Sequence, residues 1–289
     1  MKTSTTIFGI AISLALGSLI ILAGSQGSVT YQGLALFALC GSIGFILHWV
    51  IFIPSYTFQT EHYFDLTGSI SYIATVSAAI YLNPQLNIRD IIICAMIVIW
   101  ALRLGSFLFG RIKKDGKDKR FTVMKTKFTW FLMTWTLGGL WVLVTMAAGL
   151  AAITSDTTVP LGGLAYTGVL LWVAGMVIEV MADTQKTNFR KISENRDRFI
   201  TSGIWAWSRH PNYFGEITLW LGLSLVAVPV LEGWQLVTMI SPIFVYLLLT
   251  KVSGIPMLED MARKKWGSDP EFIAYTKSTP ALMLRKPRI

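Results

Sequence analysis

Cysteine, histidine and charge are all scarce in this sequence, and each scarcity excludes something. Two cysteines cannot build a disulfide framework, and both Cys40 and Cys94 fall inside apolar runs, where a thiol acts as a small packing group. Three histidines, with no HExxH and no CxxC, leave no zinc-type spacing and no expected metal site. No GxGxxG follows a strand-like run and no Walker A motif is present, so soluble dinucleotide-binding folds have no support. Charged residues make up only 14% of the chain. Lys and Arg are missing altogether from the stretches 24–30, 83–87, 154–159 and 231–234.

What fills the chain instead is apolar sequence, 53% of its residues. It comes in eight blocks, approximately 6–23, 31–53, 65–82, 88–110, 129–153, 160–182, 213–230 and 235–250. Blocks of this length match a hydrocarbon core about 30 Å thick. Inside a bilayer each backbone polar group needs an internal partner, which leaves helices or closed barrels. The blocks lack the two-residue alternation of barrel strands. The fold class is therefore all-α, a polytopic membrane bundle of about eight spans, or seven if one block does not cross. The first block follows a lone Lys2 and has a signal peptide as its other reading, although no small-residue cleavage site with a charged flank stands out.

The net charge of +9 is unevenly placed. Of 25 Lys and Arg, eight lie in 111–128, six in 183–212 and seven in 259–289. These segments follow the fourth, sixth and eighth blocks, so all three share one side of the membrane. An excess of Lys and Arg in short connections marks that side as cytoplasmic, with both termini inside. The cluster in 111–128 (Arg111, Lys113, Lys114, Lys117, Lys119, Arg120, Lys125 and Lys127) reads as a topology signal attracted to anionic headgroups. Nucleic acid is not an expected partner, since no basic helix or aromatic platform lies outside the apolar blocks.

Ionisable residues inside spans are costly unless paired or lining a cavity, so each is a functional candidate. Arg103, Glu179, Glu216 and Lys251 qualify, with Asp65 at the mouth of the third block. Glu179, Asp183, Lys186 and Arg190 are spaced by four, three and four residues, which sets them on one helix face running out of the membrane. A salt-bridged surface stripe is the plain alternative. In GIWAWSRHPNYFGE, Pro211 suits the first turn of a helix, and Arg209, His210, Asn212 and Tyr213 crowd its N-terminus, with Glu216 one turn on. Free N–H groups and the positive dipole end make such a position a natural anion site, to which Arg209 adds a phosphate-binding guanidinium. An interfacial aromatic belt accounts for Trp205, Trp207 and Tyr213 alone. In KVSGIPMLED the Gly-Ile-Pro run predicts a kink or unwinding of the last span, with Lys251, Ser253 and Glu259 beside it.

Taken in order, ALRLGSFLFGRIKKDGKDKRF, ADTQKTNFRK, SRHPNYFGE and KVSGIPMLE resemble the steroid 5-alpha-reductase superfamily, most closely its bacterial branch, over roughly residues 100–280. The resemblance implies a helical bundle in the bacterial inner membrane, holding NADPH in a cytoplasm-facing cavity and reducing an activated double bond of a lipid such as a sterol or enone. It implies N-terminal helices, 1–110, that form the substrate side, and a C-terminal part, 111–289, that carries the cofactor motifs within one continuous membrane domain. By position it implies Asp183, Lys186, Arg190, Arg209, His210, Asn212, Tyr213, Glu216, Lys251 and Glu259 as cofactor-binding residues. Glu179 stands where the steroid enzymes carry an asparagine. The proton donor to the developing enolate is sought among Asp65, Glu179 and Tyr72, since a carboxylic acid in an apolar cavity or a tyrosine can serve.

A second family shares part of the pattern. Arg209, His210, Pro211, Tyr213 and Gly215 also match the RHPxYxG stretch of integral-membrane methyltransferases of the isoprenylcysteine or phospholipid type, in which they would surround S-adenosylmethionine. The extra basic residues of ADTQKTNFRK suit the pyrophosphate and further phosphate of NADPH better than a single carboxylate. A channel, transporter or scaffold is the remaining class, without an inverted repeat to support it.

Overall fold

The computed structural model describes residues 2–116, 118 and 121–287. Lys117, Lys119 and Arg120 of the basic connection lie outside them. The chain is an all-α polytopic membrane protein. Among the described residues seven helical stretches are long and apolar enough to cross a membrane: Thr3–Ser25, Leu36–Thr57, Ile88–Lys114, Phe128–Ile153, Gly163–Lys191, Pro211–Val230 and Gly233–Trp266. The third predicted block does form a helix, Phe64–Leu82, but Thr67, Ser69, Ser71, Thr75 and Ser77 dilute its apolar character and it is not among the seven. Its hydroxyls turn inward to the backbone, as in Thr67 to Tyr63 O (2.7 Å) and Ser71 to Thr67 O (2.7 Å).

The residues fall into two compact units. The first comprises Met1–Ala165 and Leu223–Ser241. It holds α1 (Thr3–Ser25), a two-residue antiparallel ribbon of β1 (Thr30–Tyr31) and β2 (Leu34–Ala35), α2 (Leu36–Thr57), α3 (Phe64–Leu82), α4 (Ile88–Asp115) and α5 (Phe128–Ile153). The partition expected near residue 110 is not where the units divide, because α4 runs uninterrupted through that position.

The middle of the first unit is α5, every residue of which from Val142 to Ile153 is buried. It packs against α1, α2, α3 and α4. Lipid tails are as apolar as leucine, so close fit rather than water exclusion holds such helices together. Small residues permit the fit: a methyl on Gly139 would stand 2.9 Å from the Phe45 Cα. At one end, Phe52, Phe121, Phe131 and Trp135 form an aromatic cluster.

A buried cation closes the other end. Asn87 and Asp90 form a reciprocal cap on α4, with the Asn87 side chain accepting from Arg89 N (2.9 Å) and the Asp90 carboxylate accepting from Asn87 N (2.9 Å). Between them Arg89, 1% exposed, donates to the carbonyls of Val226 (2.6 Å), Val159 (3.0 Å) and Pro160 (3.0 Å). Arg89 begins the span that leads away from an otherwise base-free connection, and its charge is spread over three backbone dipoles.

The second unit, Tyr166–Gly222 and Pro242–Ile289, holds most of α6 (Gly163–Lys191) and α7 (Pro211–Ala227), the greater part of α8 (Ile240–Leu247), α9 (Ile255–Trp266) and α10 (Pro270–Ser278). The Gly-Ile-Pro break behaves as expected: α8 passes into a wide π turn at Leu248–Val252, Ser253 N bonds back to Leu248 O (3.0 Å), and a new helix starts at Ile255. Pro211 opens α7, also as expected.

Candidate functional site

The second unit assembles the candidate site from α6, the 192–210 connection, the start of α7, and α9 with α10. Glycine brings α6 and α7 into backbone contact. A methyl on Gly175 would stand 2.5 Å from Gly215 O, one on Gly215 would stand 2.8 Å from Glu179 N, and one on Gly222 would stand 2.5 Å from Gly168 O. Gly168 and Gly175 on one helix and Gly215 and Gly222 on the other are each two turns apart, so the seam continues along both. It sets buried Glu179, 2% exposed, at the joint, with half-buried Asp183 and Lys186 and exposed Arg190 following outward on the same helix. The predicted single face of α6 is therefore continuous and graded from interior to solvent.

The connection folds back on this face through Trp205. Its indole N–H donates to Ala182 O (3.0 Å), and Ile200 and Ala182 complete a small core around it. Gln185 accepts from Ile204 N (3.0 Å), tight against Gly203, whose φ of +61° is the left-handed region that favours glycine. The Lys186 ammonium lies 4.5 Å from the Trp205 ring centroid, a cation–π contact.

Glu259 of α9 gathers the RHP stretch. Its Oε1 accepts from Arg209 Nε (2.8 Å) and His210 Nε2 (3.1 Å). Arg209 Nη1 donates to the carbonyls of Thr276 and Thr279, both at 2.7 Å. His210 stacks on Tyr213 with ring centroids 5.7 Å apart and planes 12° off parallel. Burial pushes the His210 imidazole below its ordinary pKa. The Glu259 carboxylate pulls it back up, while Lys186 and Arg209 reinforce the downward direction. Since a carboxylate only accepts, the contact with Glu259 requires a proton on His210 Nε2. Glu259 also walls a hollow of about 210 Å³ together with Arg263, Gly267, Phe272, Ile273 and Thr276.

The tail segment after α10, together with Tyr275 of that helix, secures the whole. Arg209 N bonds Pro280 O (2.9 Å), Arg285 N bonds Trp207 O (3.0 Å), Ser208 Oγ donates to Leu282 O (2.8 Å) and Tyr275 Oη donates to Trp205 O (2.7 Å).

The structure thus brings Lys186, Arg209, His210, Tyr213 and Glu259 together, and it changes the part read for Arg209. With Nε and Nη1 taken up by Glu259 and two carbonyls, and a side chain 16% exposed, Arg209 is a strut rather than the open phosphate ligand expected of it. Half-buried Asn212, exposed Arg190 and exposed Lys251 have no side-chain partner among the described residues. Asp183 and Glu216 are half-buried.

Two of the three donor candidates lie in the first unit. Asp65, in the first turn of α3, stands 3.9 Å from Arg111 Nη2. Tyr72 is 3% exposed, with its ring edge-on to Trp100 and its hydroxyl bonded to Thr145. Since the Thr145 hydroxyl donates to Trp141 O (2.8 Å), the Tyr72 proton is the one shared between them, which makes Tyr72 an interhelical tie. Sequence reasoning missed Thr276, Thr279 and Tyr275, whose parts are played by backbone carbonyls and one distant hydroxyl. It also missed Glu61, buried at 2% and bound to Lys125 (2.6 Å).

Comparison with known proteins finds one family model that covers most of the chain and relatives that match a shorter part of it. A family described as "Protein of unknown function (DUF1295)" matches residues 51–279. The 3-oxo-5-alpha-steroid 4-dehydrogenase 1 of Bos taurus is 34% identical over 68 residues, 24% of this chain and 26% of that protein. The protein of the same name from Mus musculus is 36% identical over 61 residues, 21% of this chain and 24% of the relative. The chain thus spans about a quarter of the length of the curated relatives it matches. No solved structure matches it.

Proposed function

This chain belongs to the DUF1295 family, within the steroid 5-alpha-reductase-like group, and we propose on that footing that it is a membrane reductase that uses NADPH to saturate an activated carbon–carbon double bond of a sterol- or enone-like lipid. The supporting observation is the meeting, within the second unit, of the cationic outer face of α6 with the N-terminus of α7. Lys186 sits over Trp205, and Asn212, in the first turn of α7, has a side chain without a partner among the described residues. Such a donor set fits phosphate oxygens: ammonium, amide and the first free N–H groups of a helix of 17 residues. Arg190, one turn beyond Lys186, suits the additional phosphate that distinguishes NADPH from NADH.

When bound, NADPH supplies the hydride, which goes to the β-carbon of the double bond. The chain's own share is to hold and to protonate. Lys186, Arg190 and Asn212 bind the phosphates. The Arg209–Glu259–His210 link fixes the start of α7 and, through the His210–Tyr213 stack, the orientation of the tyrosine. We assign the proton to Glu179, the buried carboxyl on the same face as Asp183 and Lys186. Kept protonated by that burial, it would supply the proton that offsets the negative charge developing on the substrate as hydride arrives. In this reading the basic ends of the helices face the cytoplasm of a bacterial inner membrane.

One observation favours a second reading. Glu259 joins Arg209 and His210 within the RHPNYFG stretch, an arrangement equally suited to S-adenosylmethionine in an integral-membrane methyltransferase. Thermal shift of the purified protein in detergent separates the two: NADPH stabilises a reductase and S-adenosylmethionine leaves it unchanged. Arg190→Ala combined with Asn212→Ala is expected to weaken NADPH binding about tenfold or more, the scale of one or two lost charge-assisted hydrogen bonds, with unliganded melting close to that of the parent. Stabilisation by S-adenosylmethionine alone would transfer the conclusion to the methyltransferase, and no response to NADPH would end the reductase reading.

A further inference from the structure

We infer that the first unit carries a binding site for one anionic phospholipid, with an acyl chain in the cleft between α2 and α3 and the headgroup on the basic end of α4. The cleft has a volume of about 350 Å³ and is lined by Leu47, Ile51 and Pro54 from α2 and by Tyr63, Leu66 and Ile70 from α3 and its approach. The lining positions recur at helical spacing on both helices, so the walls are two apolar faces splayed apart. Phe58, at the end of α2, is 76% exposed and Ile70 is 48% exposed, so the cleft opens outward to whatever surrounds the spans. In a membrane protein that surrounding is acyl chain.

The charge at the mouth of the cleft selects the headgroup. The 58–63 connection is locked to the segment after α4: His62 Nε2 lies 2.6 Å from Gly116 O, and Glu61 accepts from Asp118 N (2.9 Å) and Lys125 Nζ (2.6 Å). This places the polar rim of the cleft, Thr60 and Tyr63, beside the basic end of α4. The local acids do not cancel that charge. Glu61 is buried and neutralised by Lys125, and Asp65 faces Arg111. Apart from Lys125 and Arg111, which are taken up by those acids, 111–128 carries six Lys and Arg against two Asp, and Lys113, Lys114 and Lys127 among them are exposed. A zwitterionic headgroup gains little there, whereas a phosphatidylglycerol-type anion gains the attraction that polybasic juxtamembrane segments exert. The site is independent of the reductase reading, since none of its residues belongs to the cofactor cluster.

Native mass spectrometry of the protein released from detergent, with added dioleoyl phosphatidylglycerol or dioleoyl phosphatidylcholine, tests the inference. The parent is expected to retain one phosphatidylglycerol in clear preference to phosphatidylcholine. Lys113→Gln with Lys114→Gln, both exposed and therefore compatible with folding, should reduce that preference on the order of tenfold. Ile70→Trp, which fills the cleft, should reduce retention of both lipids. Equal retention of the two lipids by the parent, or an undiminished phosphatidylglycerol adduct in the lysine variant and in Ile70→Trp, would overturn it. Displacement of the adduct by an enone lipid, with no headgroup preference, would overturn it in favour of a substrate cleft.

Discussion

His210 Nε2 and Arg209 Nε share a single oxygen of Glu259, at 3.1 and 2.8 Å. One carboxylate on α9 thereby fixes two neighbouring side chains ahead of α7, a helix that begins 48 residues earlier in the chain at Pro211. Losing it leaves a half-buried guanidinium and a buried imidazole without their acceptor. Glu259→Ala is expected to cost about 1–3 kcal/mol of stability and to weaken any ligand of the second unit. Glu259→Gln, which keeps an acceptor oxygen, should cost less. Melting in detergent with and without NADPH checks both.

His210 also makes stability depend on pH. Its folded-state pKa is depressed, chiefly by burial, so the unfolded chain binds the proton more readily. The contribution is fully present above the unfolded value of about 6.5 and is lost as pH falls from there through the depressed folded value. The melting temperature of the parent should therefore drop between pH 7 and pH 5 by more than that of His210→Gln. Parallel profiles for the two proteins would show that His210 does not couple folding to protonation.

The glycine seam between α6 and α7 tolerates almost nothing. Gly215→Ala places a methyl against Gly175 O and Glu179 N at 2.6 and 2.8 Å, both backbone atoms that cannot swing aside. The expected cost is about 1–3 kcal/mol, from forced separation of the helices, and Gly215→Val should leave little folded protein. Exposed Gly162 and Gly163, where an added methyl meets nothing within 4 Å, should accept alanine without loss. The yield of monodisperse protein and its melting temperature measure the contrast.

Arg89 is the first unit's comparable weak point. Arg89→Met would leave the carbonyls of Val226, Val159 and Pro160 without their shared donor in a site 1% exposed, a loss of roughly 3 kcal/mol. Arg89→Lys should recover part of it, since an ammonium cannot span all three acceptors as a planar guanidinium does. Denaturation in mixed detergent micelles reads the order parent, lysine, methionine.

The membrane fold was legible because its signal is local. Apolar length marks the helices, Pro211 marks where α7 starts, and Gly254 followed by Ile255 and Pro256 marks the break. The four-three-four spacing of Glu179, Asp183, Lys186 and Arg190 likewise survives as one face of α6. What could not be read was partnership across distance. Nothing in SRHPNYFGE tells that Arg209 is claimed by Glu259 and by carbonyls 67 and 70 residues further on, because a carbonyl leaves no trace in the residue type. Tyr72 reads the same whether its hydroxyl meets a substrate or Thr145. Arg89 stands between the capping residues Asn87 and Asp90 at the start of a span and becomes intelligible only when three chain segments converge on it.

The strap formed by Pro280, Leu282 and Arg285 over Trp207, Ser208 and Arg209 imposes an order on biosynthesis. The spans that flank the connection are made and inserted before its hydrogen-bonding partners have been translated, so the stretch ahead of α7 must stay unfastened through most of elongation. Its maturation is a late, post-insertion event: a ribosome stalled just short of Pro280 would hold a chain whose spans are already made and whose second unit still lacks its fastening.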